Sequence, residues 1–309
     1  MIDHSRAGMI ASPQMPPTAS SIAALSNGDS SPNTRRVGRD GFLELHFQRR
    51  ADRTVLTRSR FTLPLQALEP LILEDGAAYL MLLNPTGGLV GGDYLQTTVV
   101  QGPDTHVVLT TPSATKVYRT LCQPAVQETI IRVSERAVLE YLPDHVIPHA
   151  GSAFRQSLCV EMEQGSCVIL TDALAAGRIA LGEFWDFREF ESRISVTLRG
   201  TPLFINHTRI CPRTNSPQAF GKMEKFHYMA SLIAMADGFD EWEKVTAEME
   251  AVLRAAPDVF GGTSLMAQGG CLVRFLAFSA PDLSRMTQKL WAAARRLILR
   301  SGPFDQRKY

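Results

Sequence analysis

The chain has 309 residues, 45% of them hydrophobic and 20% charged, with a formal net charge of +1 at pH 7. That length suits one large domain with a tail, and so small a net charge removes the electrostatic case for nucleic acid or an acidic membrane, since counterion release needs a clustered basic surface. The five cysteines, Cys122, Cys159, Cys167, Cys211 and Cys271, include no Cys-x-x-Cys pair, and no apolar run is long enough to span a bilayer, so a reduced, cytoplasmic chain without a membrane segment is expected.

Residues 1–38 are rich in serine, proline, alanine, asparagine and glycine. They hold few large apolar side chains to offset the entropy of ordering, and are read as a disordered leader that leaves 39–309 as a single domain. From Gly41 the pattern turns to period two: Phe42, Glu44, Leu45, His46 and Phe47, then Val55, Thr57, Ser59 and Phe61. This predicts two strands joined at a polar turn over Arg50–Arg53. Further strands are predicted at Ala77–Leu83, Tyr94–Val100, His106–Thr111, Glu128–Val133, Ala137–Leu142, Ala153–Glu161, Cys167–Thr171, Phe190–Leu198 and Pro202–Asn206. Their close spacing without intervening helical patterns makes the body mainly β, and no internal repeat is discernible.

Helical periodicity comes late. Trp242, Val245, Met249, Val252 and Leu253 form one stripe on a helix starting near Asp240, and Ser279 with Asp282 forms a capping box for a second helix. On that second helix Leu283, Met286, Leu290, Ala294 and Leu297 share a face, while Arg285, Lys289, Arg295, Arg296 and Arg300 lie mostly elsewhere. Between the helices, Ser264–Gln268 and Cys271–Phe278 are expected to pair as strands across Gly269 and Gly270.

The most distinctive stretch runs from Leu83 to Asp93, with Gly87, Gly88, Gly91 and Gly92 crowded together. Four glycines demand backbone angles that side chains forbid. It is not a phosphate loop, because Asp93 stands where the phosphate-pairing lysine must be. Soon after come Thr110, Thr111, Ala114, Thr115, Lys116, Tyr118 and Arg119; Lys116 and Arg119 beside Tyr118 suit an anion or a partner, or simply the wet face of a strand.

A third block holds Asp172, Gly177, Arg178, Gly182 and Glu183. Asp172 and Glu183, with Asp186 and Glu189, could pair for general acid–base work, but sequence separation does not fix the distance between carboxyl groups. Arg178 could instead brace Glu183 or Asp172 through a bidentate bond, and the same carboxylates could line an internal route for a divalent ion held only in transit. No elbow motif surrounds Ser113, so no hydrolytic triad is assigned. His145 and His149 have helical zinc-ligand spacing, but Pro148 between them breaks the helix, and both are assigned structural roles.

Taken in order, these three blocks resemble the signature of the urease accessory protein family called UreD, or UreH in some organisms, well over about residues 40 to 210 and more loosely beyond. The resemblance implies an elongated multi-stranded β body, β-helix-like or built of stacked sheets, with two helices near the C-terminus. It implies a non-catalytic chaperone for nickel insertion that binds the urease apoprotein subunits and, through a UreF-type protein, a UreG-type GTPase. No tightly bound cofactor is expected, only nickel in transit, with Asp93, Asp172 and Glu183 as candidates for its path. The glycines at 87, 88, 91, 92, 177 and 182, with Thr110, Thr111, Lys116, Tyr118, Arg119 and Arg178, are expected to serve structure or partner binding. Two rival readings are a β-fold hydrolase using the Asp172 and Glu183 carboxylates and a protein-binding β scaffold that handles no metal.

Overall fold

The computed structural model describes residues 40–306, so the leader expected over residues 1–38 lies outside the described residues. The strands in chain order are β1 (Asp40–Arg50), β2 (Arg53–Thr62), β3 (Gln66–Ala67), β4 (Leu71–Ile72), β5 (Ala78–Leu83), β6 (Tyr94–Gln101), β7 (His106–Thr110), β8 (Thr115–Val117) and β9 (Ala125–Val133). They continue as β10 (Val138–Leu142), β11 (Val146–Pro148), β12 (Ala153–Met162), β13 (Cys167–Ala175), β14 (Glu189–Leu198), β15 (Thr201–Ile210), β16 (Tyr228–Ala236), β17 (Val259–Leu265) and β18 (Cys271–Ala277). Two helices, α1 (Trp242–Arg254) and α2 (Ala280–Ala294), complete the framework.

The strands form two sheets, one seven-stranded in the order β15-β14-β12-β9-β6-β1-β2 and one ordered β17-β18-β16-β13-β10-β7-β5-β3. The chain crosses between them at almost every step: β6, β9, β12 and β14 run parallel in the first sheet, while β7, β10 and β13, which fall between them in sequence, run parallel in the second. This is a two-sheet β solenoid. Tyr94 pairs with Val126, Val126 with Arg155 and Arg155 with Glu191, so the rungs repeat at roughly thirty residues. The absence of a repeat in sequence is thus corrected at the level of backbone: the rung recurs, but each carries different side chains because each faces a different neighbour. Antiparallel partners close the first sheet, with β2 on β1 and β15 on β14.

One flank of the solenoid turns tightly. Asp104, Arg136 and Gly165 occupy equivalent corners with φ of 58°, 53° and 70°. The corners are linked by backbone bonds from Asp104 N to Glu135 O (3.0 Å) and Arg136 N to Gln164 O (2.9 Å), and by a two-pronged ion pair from Arg136 to Asp104 (2.7 and 2.8 Å). The opposite flank carries the longer connections, including β8 and β11, which pair parallel to each other.

Period-two burial makes the core. Leu43, Leu45, Phe47, Leu95, Val99, Ile131 and Val160 of the first sheet meet Leu80, Val107, Leu109, Leu139, Val168 and Leu170 of the second. The other face of the second sheet, through Val108, Ile169, Leu232 and Val273, packs on Trp242, Val245 and Met249 of α1 and on Leu283, Met286 and Leu290 of α2. The result is a three-layer body of sheet, sheet and helix pair. Removing any one large core side chain would cost about 2–5 kcal/mol.

The sequence-based boundaries hold for most strands, for α1 and for α2, whose N-cap Ser279 accepts a bond from Asp282 N at 3.3 Å. β16 has no counterpart among the predicted strands. The second hairpin forms, but β17 begins at Val259, well before the expected Ser264. Arg295, expected off the buried face, is 1% exposed. It is buried because Glu140 and Asp75 await its guanidinium.

Candidate functional site

Although the space between the sheets is apolar over most of its area, one band of inward positions is not. Across the first sheet Gln127 pairs in register with Gln156, Gln156 with Ser192 and Ser192 with Thr208. Directly paired residues point to the same face of a sheet, so these four polar side chains form a row. Across the second sheet Asp172 pairs with Ser231 and Ser231 with Arg274, giving a second row on the inward face. The rows meet where Gln156 Nε2 donates to Asp172 Oδ1 (2.9 Å) and Ser192 Oγ donates to Asp172 Oδ2 (3.0 Å). Gln156 Nε2 also lies 3.0 Å from Ser192 Oγ.

Asp172 is therefore held from both carboxylate oxygens by neutral donors, with no cation paired to it in these bonds. Enclosure by protein raises its pKa, while the Ser192 and Gln156 bonds pull in the opposite direction without cancelling the rise. Next to it on the inward face of β10, Tyr141 bonds with Thr129, and burial with the Asp172 charge pushes its pKa up to about 12.

Two pockets between the sheets, each of about 190 Å³ and each reaching the surface, lie on either side of this point. The larger in lining runs from Gly87, Gly88, Thr111, Thr115 and Lys116 on the long-connection flank, past Thr97, Thr129 and Tyr141, to Gln156, Ser192 and Asp172. The other begins at Asp172 and Ala173 and continues past Ser231 to Asn206, Thr208 and Arg274 at the open edge of the sandwich. Asp172 and Ala173 are the lining residues common to both, so Asp172 stands between a pocket that starts at the glycine-rich loop and one that ends between β15 and β18, which together trace a partly polar passage.

The glycine-rich loop is explained by close approach. Leu89 N donates to Lys116 O and Tyr118 N to Leu89 O, both at 2.8 Å, which lays the loop against β8. A Cβ on Gly88 would come within 2.7 Å of Lys116 O, and one on Gly91 within 2.7 Å of the Thr120 methyl. Gly87 and Gly92 have φ of 81° and 86°. Asp93 is 5% exposed; its Oδ2 accepts from Val90 N at 2.8 Å, and it is absent from the linings of both cavities. Thr110 donates to Leu142 O (2.6 Å), Thr111 accepts from Asp144 N (2.8 Å), and the Tyr118 ring meets His149 edge-on at 4.9 Å. Arg119 packs its stem near Gly151.

In the third block Arg178 Nε donates to Glu183 Oε2 at 2.9 Å, a second guanidinium nitrogen reaches Oε1, and Ala150 N donates to Oε2 at 3.0 Å. The Arg178 guanidinium holds the Glu183 carboxyl below its usual range. Gly177, with φ of 148°, allows the Glu183 carbonyl to approach to where a Cβ would stand at 2.7 Å, and Gly182, with φ of 76°, ends the short 3₁₀ turn Ile179–Leu181. Of the two pairings open to Arg178, the structure has Glu183. Glu183 does not line the passage. Burial and the neighbouring Arg178 lower the pKa of His149, and His145 Nδ1 lies 2.8 Å from Asp144 Oδ1.

Of the four carboxylates considered for acid–base chemistry, Asp172 is in the passage, Glu183 is on Arg178, Asp186 accepts from Phe184 N, and Glu189 is on Arg155 and Arg209. Each has its own partners. Among the described residues no group of three or more His, Cys, Asp and Glu could together hold a metal ion. The passage instead offers oxygen donors singly, which suits brief contact with a cation rather than capture. Gln127, Gln156, Ser192, Thr208, Ser231 and Arg274 escaped the sequence reading. A polar side chain at the inward parity of a strand, such as Gln156 two places before Leu158, is the signal that could have found them.

The described residues thus form a two-sheet solenoid with a partly polar passage between its sheets. The chain belongs to the UreD urease accessory protein family, whose pattern matches residues 39–308. It is 30% identical over 277 residues to the urease accessory protein UreD of Haloarcula marismortui, covering 88% of this chain and 91% of that protein. It is 35% identical over 251 residues to its counterpart in Mycolicibacterium gilvum, covering 80% and 89%. With that of Deinococcus radiodurans it shares 32% over 281 residues, covering 88% and 96%. Membership places the chain in urease maturation. Among the described residues no helix is long and apolar enough to cross a membrane.

Proposed function

We propose that this chain is a non-catalytic chaperone for nickel insertion, working in the cytoplasm on the urease apoprotein together with UreF-type and UreG-type partners. The observation that carries the reading is Asp172, a carboxylate bonded by Gln156 and Ser192 and shared by the linings of two pockets between the sheets. Nickel is the cargo in this reading, and the chain's own groups act on it by position. Asp172 supplies negative charge midway; Gln156, Ser192, Thr208 and Ser231 supply neutral oxygens in succession along the rows. A borderline divalent ion meeting Asp144 and Asp172 one at a time, with neutral oxygens around them, is attracted but not trapped, which is what transit requires. Asp93 and Glu183, tied to Val90 N and to Arg178, serve as braces of the two motif loops.

The test is co-expression of the tagged chain with the urease structural subunits and the UreF-type and UreG-type proteins, reading co-purification, urease activity and nickel content. Co-purification with nickel-dependent activation supports the reading. A folded chain that neither associates nor changes activation would overturn it, and association without any change in nickel content would leave the scaffold reading in its place.

A further inference from the structure

The passage meets solvent at the β15–β18 edge, and the side chain that stands over its mouth is the exposed Arg274. Arg274, on β18, extends its guanidinium across the gap between the sheets, where Nη2 donates to Asn206 Oδ1 of β15 at 2.6 Å. Asn206 pairs in register with Ile194, a residue of the inter-sheet core, so its side chain faces the interior from the opposite wall. Arg274 and Asn206 both line the second cavity, and their bond ties one sheet to the other there. Arg274 stands two strands from Asp172 in the same register row, with Ser231 between them. Strand spacing puts the two backbones about 10 Å apart.

A guanidinium stays protonated at any physiological pH, and here its partner is a neutral amide, so the positive charge at the mouth is not cancelled by that bond. We propose that Arg274 is the electrostatic closure of this end of the passage, held over its solvent-exposed mouth by Asn206 and opened when a carboxylate of a docked partner draws the guanidinium away. This deepens the nickel-transit reading and rests on it for its purpose, though the selectivity itself is a property of the chain alone. While the bond stands, a divalent cation near Asp172 meets repulsion toward the edge and attraction inward, so it is retained until a partner is in place. A carboxylate competes well for the guanidinium because it offers a charged, bidentate acceptor in place of one neutral oxygen. Arginine suits the role better than lysine, since its planar fork has several donors, one for Asn206 and others free to meet a carboxylate.

The test uses the full chain carrying Ser231→Cys, a near-isosteric change between Asp172 and the closure. The thiol is treated with aminoethyl methanethiosulfonate, which is cationic, or with the similarly sized neutral hydroxyethyl reagent. Modification at position 231 is followed by peptide-resolved mass spectrometry, which separates it from the native cysteines, and the rates are normalised to those of a free thiol. The cationic reagent should react at least about tenfold more slowly than the neutral one. Adding Arg274→Met should bring the two rates together, and Arg274→Lys should keep most of the difference. Asn206→Ala, which leaves the charge but frees it, should lower the difference part-way, and it serves if Arg274→Met does not fold. Equal rates before Arg274 is changed, or a difference that survives Arg274→Met, overturn the closure while leaving the passage standing. A thiol that neither reagent reaches in any variant overturns the closure and the transit reading together.

Discussion

Glu140 on β10 and Arg295, the residue that follows α2, form an ion pair whose side chains are 0% and 2% exposed. The carboxylate also receives Trp291 Nε1 and lies 2.7 Å from His106 Nε2, while the guanidinium reaches Asp75 Oδ2 at 2.7 Å and Gly302 O at 2.9 Å. Phe304 stacks its edge on Trp291 and on Tyr79, whose hydroxyl donates to Gln306 O at 2.7 Å. One arginine thus joins the helix layer, the middle sheet and the C-terminal strap.

Breaking that junction from one side leaves Glu140 charged and enclosed. Arg295→Ala is expected to cost about 3–5 kcal/mol, because the buried carboxylate loses its guanidinium and keeps only His106 and Trp291. Arg295→Met combined with Glu140→Gln is expected to cost clearly less, and urea titration of the three proteins checks the order. A double variant as unstable as the single one would show that packing, not charge, dominates the site.

Asp172 predicts a conflict between stability and use. Its pKa is raised in the folded chain, so folding binds a proton more tightly than the unfolded state does, and stability falls as pH rises from the ordinary carboxylate value through the raised one. Asp172→Asn should therefore raise the thermal midpoint at neutral pH by about 2 °C or more, a change that calorimetry resolves in a domain of this size. The gain should vanish at acid pH, where Asp172 is itself neutral. In the co-expression assay the same variant should lower urease activation with complex formation kept. A destabilised variant at neutral pH would mean that the carboxylate holds the fold.

Gly88→Ala should lower stability by about 2 kcal/mol, since the new methyl must displace Lys116 O, a backbone atom. Gly182→Ala meets no neighbouring atom within 4 Å, so only its positive φ opposes it and the loss should be smaller. Comparing the two by chemical denaturation separates crowding from backbone strain.

For the Arg178 and Glu183 brace, either alanine variant alone should destabilise about as much as both together, because each loses the same bond. The Glu183 pKa is lowered by Arg178, so the contribution is present above the ordinary carboxylate value and is lost as pH falls through the lowered one. A double-mutant cycle repeated at neutral and acid pH checks this, and a coupling that persists in acid would contradict it.

The hairpin of β1 and β2, most of the later strands, and the Ser279 cap could be read from sequence because period-two alternation and capping are local signals. The rung order could not. Parallel pairing such as Val126 with Arg155 joins residues that share no turn, and nothing local announces it. β16 hides for a related reason: Ala230, Leu232 and Ala234 face the helices while Ile233 and Met235 face the core, so the strand is apolar on both sides and shows no alternation. Arg295 looks like a surface residue until Glu140, 155 positions away, is brought beneath it. Asp172 was singled out by its motif, but Gln156 and Ser192, which give it meaning, lie on other strands and needed the register.

The stapled corners at Asp104, Arg136 and Gly165 make the solenoid resemble a bound book. Its spine is that flank, where backbone bonds and the Arg136–Asp104 pair hold each rung to the next. Its fore-edge is the opposite flank, where the glycine loop and β8 lie over the entrance to the interior. Any breathing of the two sheets must have least amplitude at the spine and most at the fore-edge. The pages part where the polar side chains are, and the apolar core nearest the binding stays closed.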